Sequence, residues 1–166
     1  MLFPSEVFIF VFLPVVLVVY YALLRKTKAL KNVFLLLASL FFYAWGEPVY
    51  VYLMMASIVF NWFMGLLADR FREKKWISVL TLVVLVAVNI GVLGWYKYSE
   101  FTVLQINRFL HTSIPVPVVP LPIGISFFTF QAMSYVIDVY RKRGKVQKNP
   151  LNVGLYIALF PQLIAG

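Results

Sequence analysis

The sequence has no cysteine and one histidine among its 166 residues. Disulfides, thiolate nucleophiles and cysteine-ligated metals or clusters are therefore excluded, and His111 alone cannot build a histidine-rich metal site. Charge is scarce as well. Charged residues make up 13% of the chain and acids number only six, where a soluble domain carries about 25% charged residues. What fills the space is 63% hydrophobic and 18% aromatic residues, with a mean hydropathy of +0.89. So much apolar surface cannot be buried within a globule of this size, and the chain reads as an all-α, polytopic transmembrane protein. Soluble enzymes, secreted factors and free nucleic-acid binders are excluded. At one crossing per roughly 20 apolar residues, the length accommodates about six spans and leaves no room for a water-soluble domain.

The apolar runs fall at residues 7–24, 32–45, 49–68, 76–94, 121–137 and 151–166. No Lys or Arg precedes the first run and no A-x-A site follows it, so it reads as a retained span and not a signal peptide. Pro14 is expected to kink it. Gly46-Glu47-Pro48 divides the second run from the third as the turn of a helical hairpin. Trp95, Tyr96 and Tyr98 mark a membrane interface after the fourth. Residues 101–110 show helical spacing at a length too short to span, and predict a separate amphipathic helix lying in the interface. Four prolines at 115, 117, 120 and 122 then forbid helix and sheet interior alike, predicting an extended connector. The last run stops at Gly166 without a polar flank, which reads as the first part of something longer. No internal repeat and no low-complexity tract is present.

Net charge is +9, and its placement explains it. Of fifteen Lys and Arg, all but Lys97 and Arg108 lie in three segments. These hold Arg25, Lys26, Lys28 and Lys31; Arg70, Arg72, Lys74 and Lys75; and Arg141, Lys142, Arg143, Lys145 and Lys148. Alternate loops are thus basic, the pattern of retention on the cytoplasmic side. The N-terminus is expected outside, and no nucleic-acid ligand is needed to account for the charge.

Polar groups inside the spans are the candidate sites, because each must find a partner where water is absent. Asn61 and Asn89 read as interhelical glue. Ala87-xxx-Gly91 and Gly154-xxx-Ala158 match the small-residue packing pattern. In the fifth run Gln131, Ser134, Tyr135 and Asp138 share a face by i, i+3 and i+4 spacing. Two readings stand: Asp138 paired with Arg141 at the inner interface, or a water-filled substrate path along the helix. His111 sits in the outer connector without a neighbouring carboxylate or nucleophile and reads as a surface residue. Phe41, Phe42, Tyr43 and Trp45 read as an interfacial belt in preference to a ligand cage.

Several stretches resemble the membrane-bound O-acyltransferase family, in particular its bacterial alginate O-acetyltransferase-like branch. They are Leu121-Pro122-Ile123-Gly124-Ile125-Ser126-Phe127-Phe128-Thr129-Phe130-Gln131, continued by Ser134-Tyr135 and Asp138-Val139-Tyr140-Arg141, then Phe160-Pro161-Gln162-Leu163-Ile164-Ala165-Gly166, Leu40-Phe41-Phe42-Tyr43-Ala44-Trp45-Gly46-Glu47-Pro48, and the opening Met1-Leu2-Phe3-Pro4-Ser5. The resemblance covers essentially the whole chain. It implies a bacterial cytoplasmic-membrane enzyme that carries an acyl group, in this branch acetyl, from a cytoplasmic acyl-CoA or acyl-carrier thioester to a hydroxyl of an extracytoplasmic polysaccharide, through a tunnel across the membrane. Residues 1–166 would be its N-terminal transmembrane region. The face with Gln131, Ser134, Tyr135 and Asp138 would line the tunnel. The family's catalytic histidine lies on a later helix with no counterpart here, so the chain carries no catalytic residue, binds no metal or resident cofactor, and is expected to be inactive alone. Its expected partners are the remaining part of the enzyme, membrane lipid, the acyl donor and extracytoplasmic acetylation proteins. The alternative is a non-catalytic polytopic protein, either a helix scaffold or a transporter module, though a transporter would be expected to show repeated halves.

Overall fold

Apolar runs with few breakers fold into helices, since only intra-segment hydrogen bonding satisfies the backbone in hydrocarbon. The computed structural model describes residues 6–23 and 27–165, side chains at 23, 28 and 163–165 excepted. The opening motif 1–5, Arg25, Lys26 and Gly166 lie outside the described residues. Among those described there is no strand. A π-helical stretch Phe8–Phe12 leads into α1 (Leu13–Val18) and a second π-helical stretch Val19–Leu23. There follow α2 (Lys28–Gly46), α3 (Tyr50–Arg70), α4 (Lys75–Leu110), α5 (Ile125–Tyr140), α6 (Pro150–Ala158) and α7 (Phe160–Ala165). The effect of Pro14 is a widened turn: the Leu13 N–H reaches back to Phe8 O, which makes room for the proline ring.

Among the described residues three helices are long and apolar enough to cross a membrane, in windows 29–46, 50–70 and 75–110. The chain is a multi-pass membrane protein. The first apolar helical segment, α5 and the α6–α7 pair are shorter.

The basic segments come together at one end of the bundle. There the Arg72 guanidinium donates to Val139 O at 3.0 Å, Trp62 Nε1 donates to Gln147 O at 3.1 Å and Asn32 donates to Asn152 at 3.2 Å. At the far end Tyr43 donates to Ile123 O at 3.1 Å and Tyr50 to Pro120 O at 3.0 Å. The first segment runs antiparallel to α2, with Phe8 packed on Phe42 (centroids 5.1 Å) and Lys31 Nζ 4.5 Å above the Tyr20 ring. Residue 8 is thus at the far end and residue 20 at the basic end.

One sequence expectation is corrected. Residues 101–110 are not a separate interfacial helix, because α4 runs unbroken for 36 residues, about 54 Å at 1.5 Å per residue. Neither Gly94 nor the aromatic group after it interrupts the backbone hydrogen bonding. The helix stops at His111, which takes a left-handed conformation (φ 50°). The proline connector is extended as expected and returns alongside the upper half of α4, pinned where Asn107 bonds Thr112 and both backbone groups of Ile114. It ends at Gly124, whose φ of 74° suits glycine and turns the chain into α5.

Helix contacts are close where side chains are absent. A Cβ on Gly65 would lie 2.8 Å from Tyr135 Cε1, so α3 and α5 meet there without space for a methyl group. Gly154 faces Leu36 and Ile58 at 3.3–3.4 Å, and Ala158 is fully buried, so Gly154-xxx-Ala158 is a packing seam. Ala87-xxx-Gly91 is not one: a Cβ on Gly91 would touch nothing within 4 Å. Accordingly Gly154→Leu is expected to reduce folded yield and melting temperature in detergent, and Gly91→Leu to leave both unchanged.

Candidate functional site

Two polar groupings lie inside the bundle. In the first, Asn61 Nδ2 donates to Asn89 Oδ1 at 3.2 Å and Asn89 Nδ2 returns to Asn61 Oδ1 at 3.1 Å. Each amide spends its other hydrogen on its own helix, to Ser57 O and Leu85 O. Every N–H is used, and the pair joins α3 to α4 as interhelical glue.

The second grouping is the face of α5 expected from spacing. Gln131 Nε2 donates to Tyr156 O on α6 and to Gln162 Oε1 on α7, the latter at 2.7 Å. Ser134 donates to Gln131 O at 2.8 Å, and its oxygen lies 3.5 Å from the Tyr156 hydroxyl. The Tyr135 hydroxyl accepts from the Gln147 backbone N–H at 3.1 Å, its ring wedged between Gly65 and Tyr156. Three of the four expected residues therefore converge on α6. Asp138 does not: it is exposed at the helix end, and its backbone oxygen receives the Arg143 and Gly144 amides as the chain turns. Its expected pairing with Arg141 is absent, and the ion pair formed among the described residues is Arg72–Asp69 at 2.8 Å.

The reason for the convergence lies in α6. Pro161 has no N–H to give Ile157 O, and Leu159 is extended (φ −59°, ψ 115°), so the helix breaks between α6 and α7. In a continuous helix the Phe160 N–H would bond Tyr156 O. Here it donates to Ser39 Oγ at 3.2 Å, while Gln131 supplies the missing donor to Tyr156 O. Ser39, fully buried midway along α2, passes its own proton to Leu35 O. Two side chains from opposite sides thus mend the break. From the grouping toward the basic end opens a cleft of about 420 Å³ bordered by Asn32, Lys145, Asn152 and Tyr156.

Periodicity missed Ser39, Tyr156 and Gln162, the last of which appears only within a stretch that carries the family resemblance. The one available signal was Pro161 inside an apolar run, which demands foreign partners for the freed backbone. His111 is exposed, with Nδ1 3.2 Å from Arg108 O, as a surface residue would be. The aromatic belt divides: Phe41 and Trp45 face outward, whereas Phe42 packs with Phe8, Phe12 and Phe160, and Tyr43 is buried.

Comparison with known proteins places this arrangement. The chain is 38% identical over 170 residues to the probable alginate O-acetylase AlgI of Pseudomonas aeruginosa, covering all of this chain and 32% of that protein. The Azotobacter vinelandii protein of that name is likewise 38% identical, with 34% of it covered. The peptidoglycan O-acetyltransferase of Helicobacter pylori is 32% identical over 192 residues, with 36% covered. These relatives, matched over the whole of this chain, are of the membrane-bound O-acyltransferase type that its motifs resemble. The chain spans about a third of the length of the curated relatives it matches. No family model matches, and no solved structure does.

The asparagine pair is expected to behave as one unit. Asn61→Leu or Asn89→Leu leaves the partner amide unmet, each destabilising the membrane-embedded bundle by about 1 kcal/mol. The double variant should cost no more than the worse single one in an unfolding titration, and additive losses would show the pair to be uncoupled.

Proposed function

We propose that the chain is the N-terminal transmembrane part of a bacterial O-acetyltransferase that moves an acetyl group from a cytoplasmic thioester donor to a hydroxyl of an extracytoplasmic polysaccharide. The observation carrying this reading is the relationship, over the whole chain, to proteins named for acetylation of alginate and peptidoglycan. The geometry supports it in two ways. The basic end gathers cations suited to a phosphate-bearing donor, and by positive-inside retention that end would face the cytoplasm, with the N-terminus and the proline connector outside. The polar cleft then opens at that same end and is bordered by Tyr135 and Tyr156, the latter in contact with Ser134 and Gln131, which suits a polar arm entering an apolar bundle.

In the transfer the acyl C–S bond breaks and an ester C–O bond forms. The acceptor hydroxyl gives its proton to a general base, and the sulfur leaves as thiol. A neutral hydroxyl needs such a base close by, and nothing described here supplies one beside the cleft, since His111 lies on the far connector. The chain therefore contributes scaffold and path wall in about six crossings, while the remaining part of the enzyme brings the base. Extracytoplasmic acetylation proteins would receive or present the polysaccharide. No metal or resident cofactor has a role in this scheme.

Orientation is checked with single cysteines, each unique in this chain. A membrane-impermeant thiol reagent applied to intact cells should label Ser113→Cys and spare Glu73→Cys and Lys145→Cys. The opposite pattern would reverse the side of donor entry. Purified residues 1–166 should transfer no acetyl group from acetyl-CoA to polysaccharide. Turnover that His111→Ala abolishes would overturn the assignment of the base to the rest of the enzyme.

A further inference from the structure

The break between α6 and α7 does more than interrupt a helix. Gln131 has a fixed amide orientation, because only its nitrogen can serve the Tyr156 carbonyl. That nitrogen also donates to Gln162 Oε1, which fixes the second amide in turn: the oxygen of Gln162 faces Gln131, and its NH2 faces away. Gln162 is exposed, and its two N–H donors have no partner among the described residues. The site is unsaturated on the acceptor side also, since Gln131 Oε1 is buried without a hydrogen bond. Phe160 at the start of α7 is level with Ser39, midway along α2, so these donors stand at mid-bundle depth, where an unmet polar group is costly. They adjoin Gln131, whose amide also bonds the backbone oxygen of Tyr156, and Tyr156 borders the polar cleft. Lys145 borders that cleft nearer the basic end, and no cation stands among the four residues themselves. An oriented NH2 group in neutral surroundings suits an uncharged acceptor oxygen better than an anion.

We propose that Gln162 is a substrate-positioning residue whose amide, oriented by Gln131 across the helix break, hydrogen-bonds the acyl carbonyl oxygen of the thioester donor. The assignment rests on the acyl-transfer reading above. Gln162 takes no part in bond making. It contributes a hydrogen bond that strengthens as negative charge develops on that oxygen, and therefore acts on kcat more than on KM.

The test uses the complete enzyme in membrane vesicles, freed of any cysteines outside this chain. Gln162→Met keeps the side chain's length and neutrality and removes both donors. It should lower kcat about ten- to hundredfold, with KM for acetyl-CoA changed less than threefold and folded yield unchanged. A kcat that stays within threefold of wild type, or a loss matched by lost folded protein, overturns the proposal. A second arm needs no turnover. Gln162→Cys should react with a small charged methanethiosulfonate applied to the vesicles, whereas Phe63→Cys, on the outward face of α3, should not. Silence at both positions means a lipid-covered Gln162 and also overturns the proposal. Labelling of Gln162→Cys in an enzyme whose wild type transfers no acetyl group overturns the acyl-transfer reading, and the carbonyl assignment with it, and leaves a hydrated amide pair.

Discussion

The constraint on which this structure depends is that hydrocarbon offers a backbone no water. Most of the chain meets it with uninterrupted helices, and α4 is the extreme case. Pro161 makes that solution unavailable to the last segment. There the Phe160 N–H and the Tyr156 carbonyl separate, and each finds a side chain: Ser39 of α2 and Gln131 of α5. An unmet buried group of this kind costs about 1–3 kcal/mol, so the break can persist only where α2 and α5 flank α6 closely. Gly154 against Leu36 provides the approach on the α2 side.

The same constraint sorts the polar residues into two kinds. Asn61 and Asn89 exhaust their donors on one another and on their own helices, which leaves a closed pair with no N–H to offer a ligand. Gln131 and Gln162 do not close: the chain from Tyr156 O through Gln131 ends on N–H groups without a partner among the described residues. A saturated pair inside a bundle holds helices together, whereas an unsaturated one bonded to a residue on the border of a polar cleft is where a passing substrate can be held. This distinction, with the relationship to named O-acetylases, gives the α5–α6 face its place in the proposed reaction.

Much of this was legible in the sequence. The apolar runs, the proline connector and the grouping of basic residues at one end follow from period, breaker residues and charge placement, all local properties. The asparagine glue followed from the cost of an unmet amide. Other features needed the third dimension. Spacing by sevens put Asp138 on one face with Gln131, but periodicity does not say where a bundle ends, and Asp138 lies beyond that point. The aromatic group at 95–98 suggested a helix end, yet aromatic residues do not break hydrogen bonding and α4 continues. Ser39 and Phe160 are separated by 121 positions, and no local pattern announces a contact of that range.

The central claim is that Ser39 and Gln131 jointly hold one break. It is tested most directly by a double-mutant cycle on unfolding free energy in the membrane-embedded protein, using Ser39→Ala and Gln131→Leu. Each alone should destabilise by about 1–2 kcal/mol. Once the break has relaxed after the first substitution, the second should cost less than half as much as it does alone. Strictly additive losses would mean that the two side chains serve unrelated parts of the bundle, and would contradict the account.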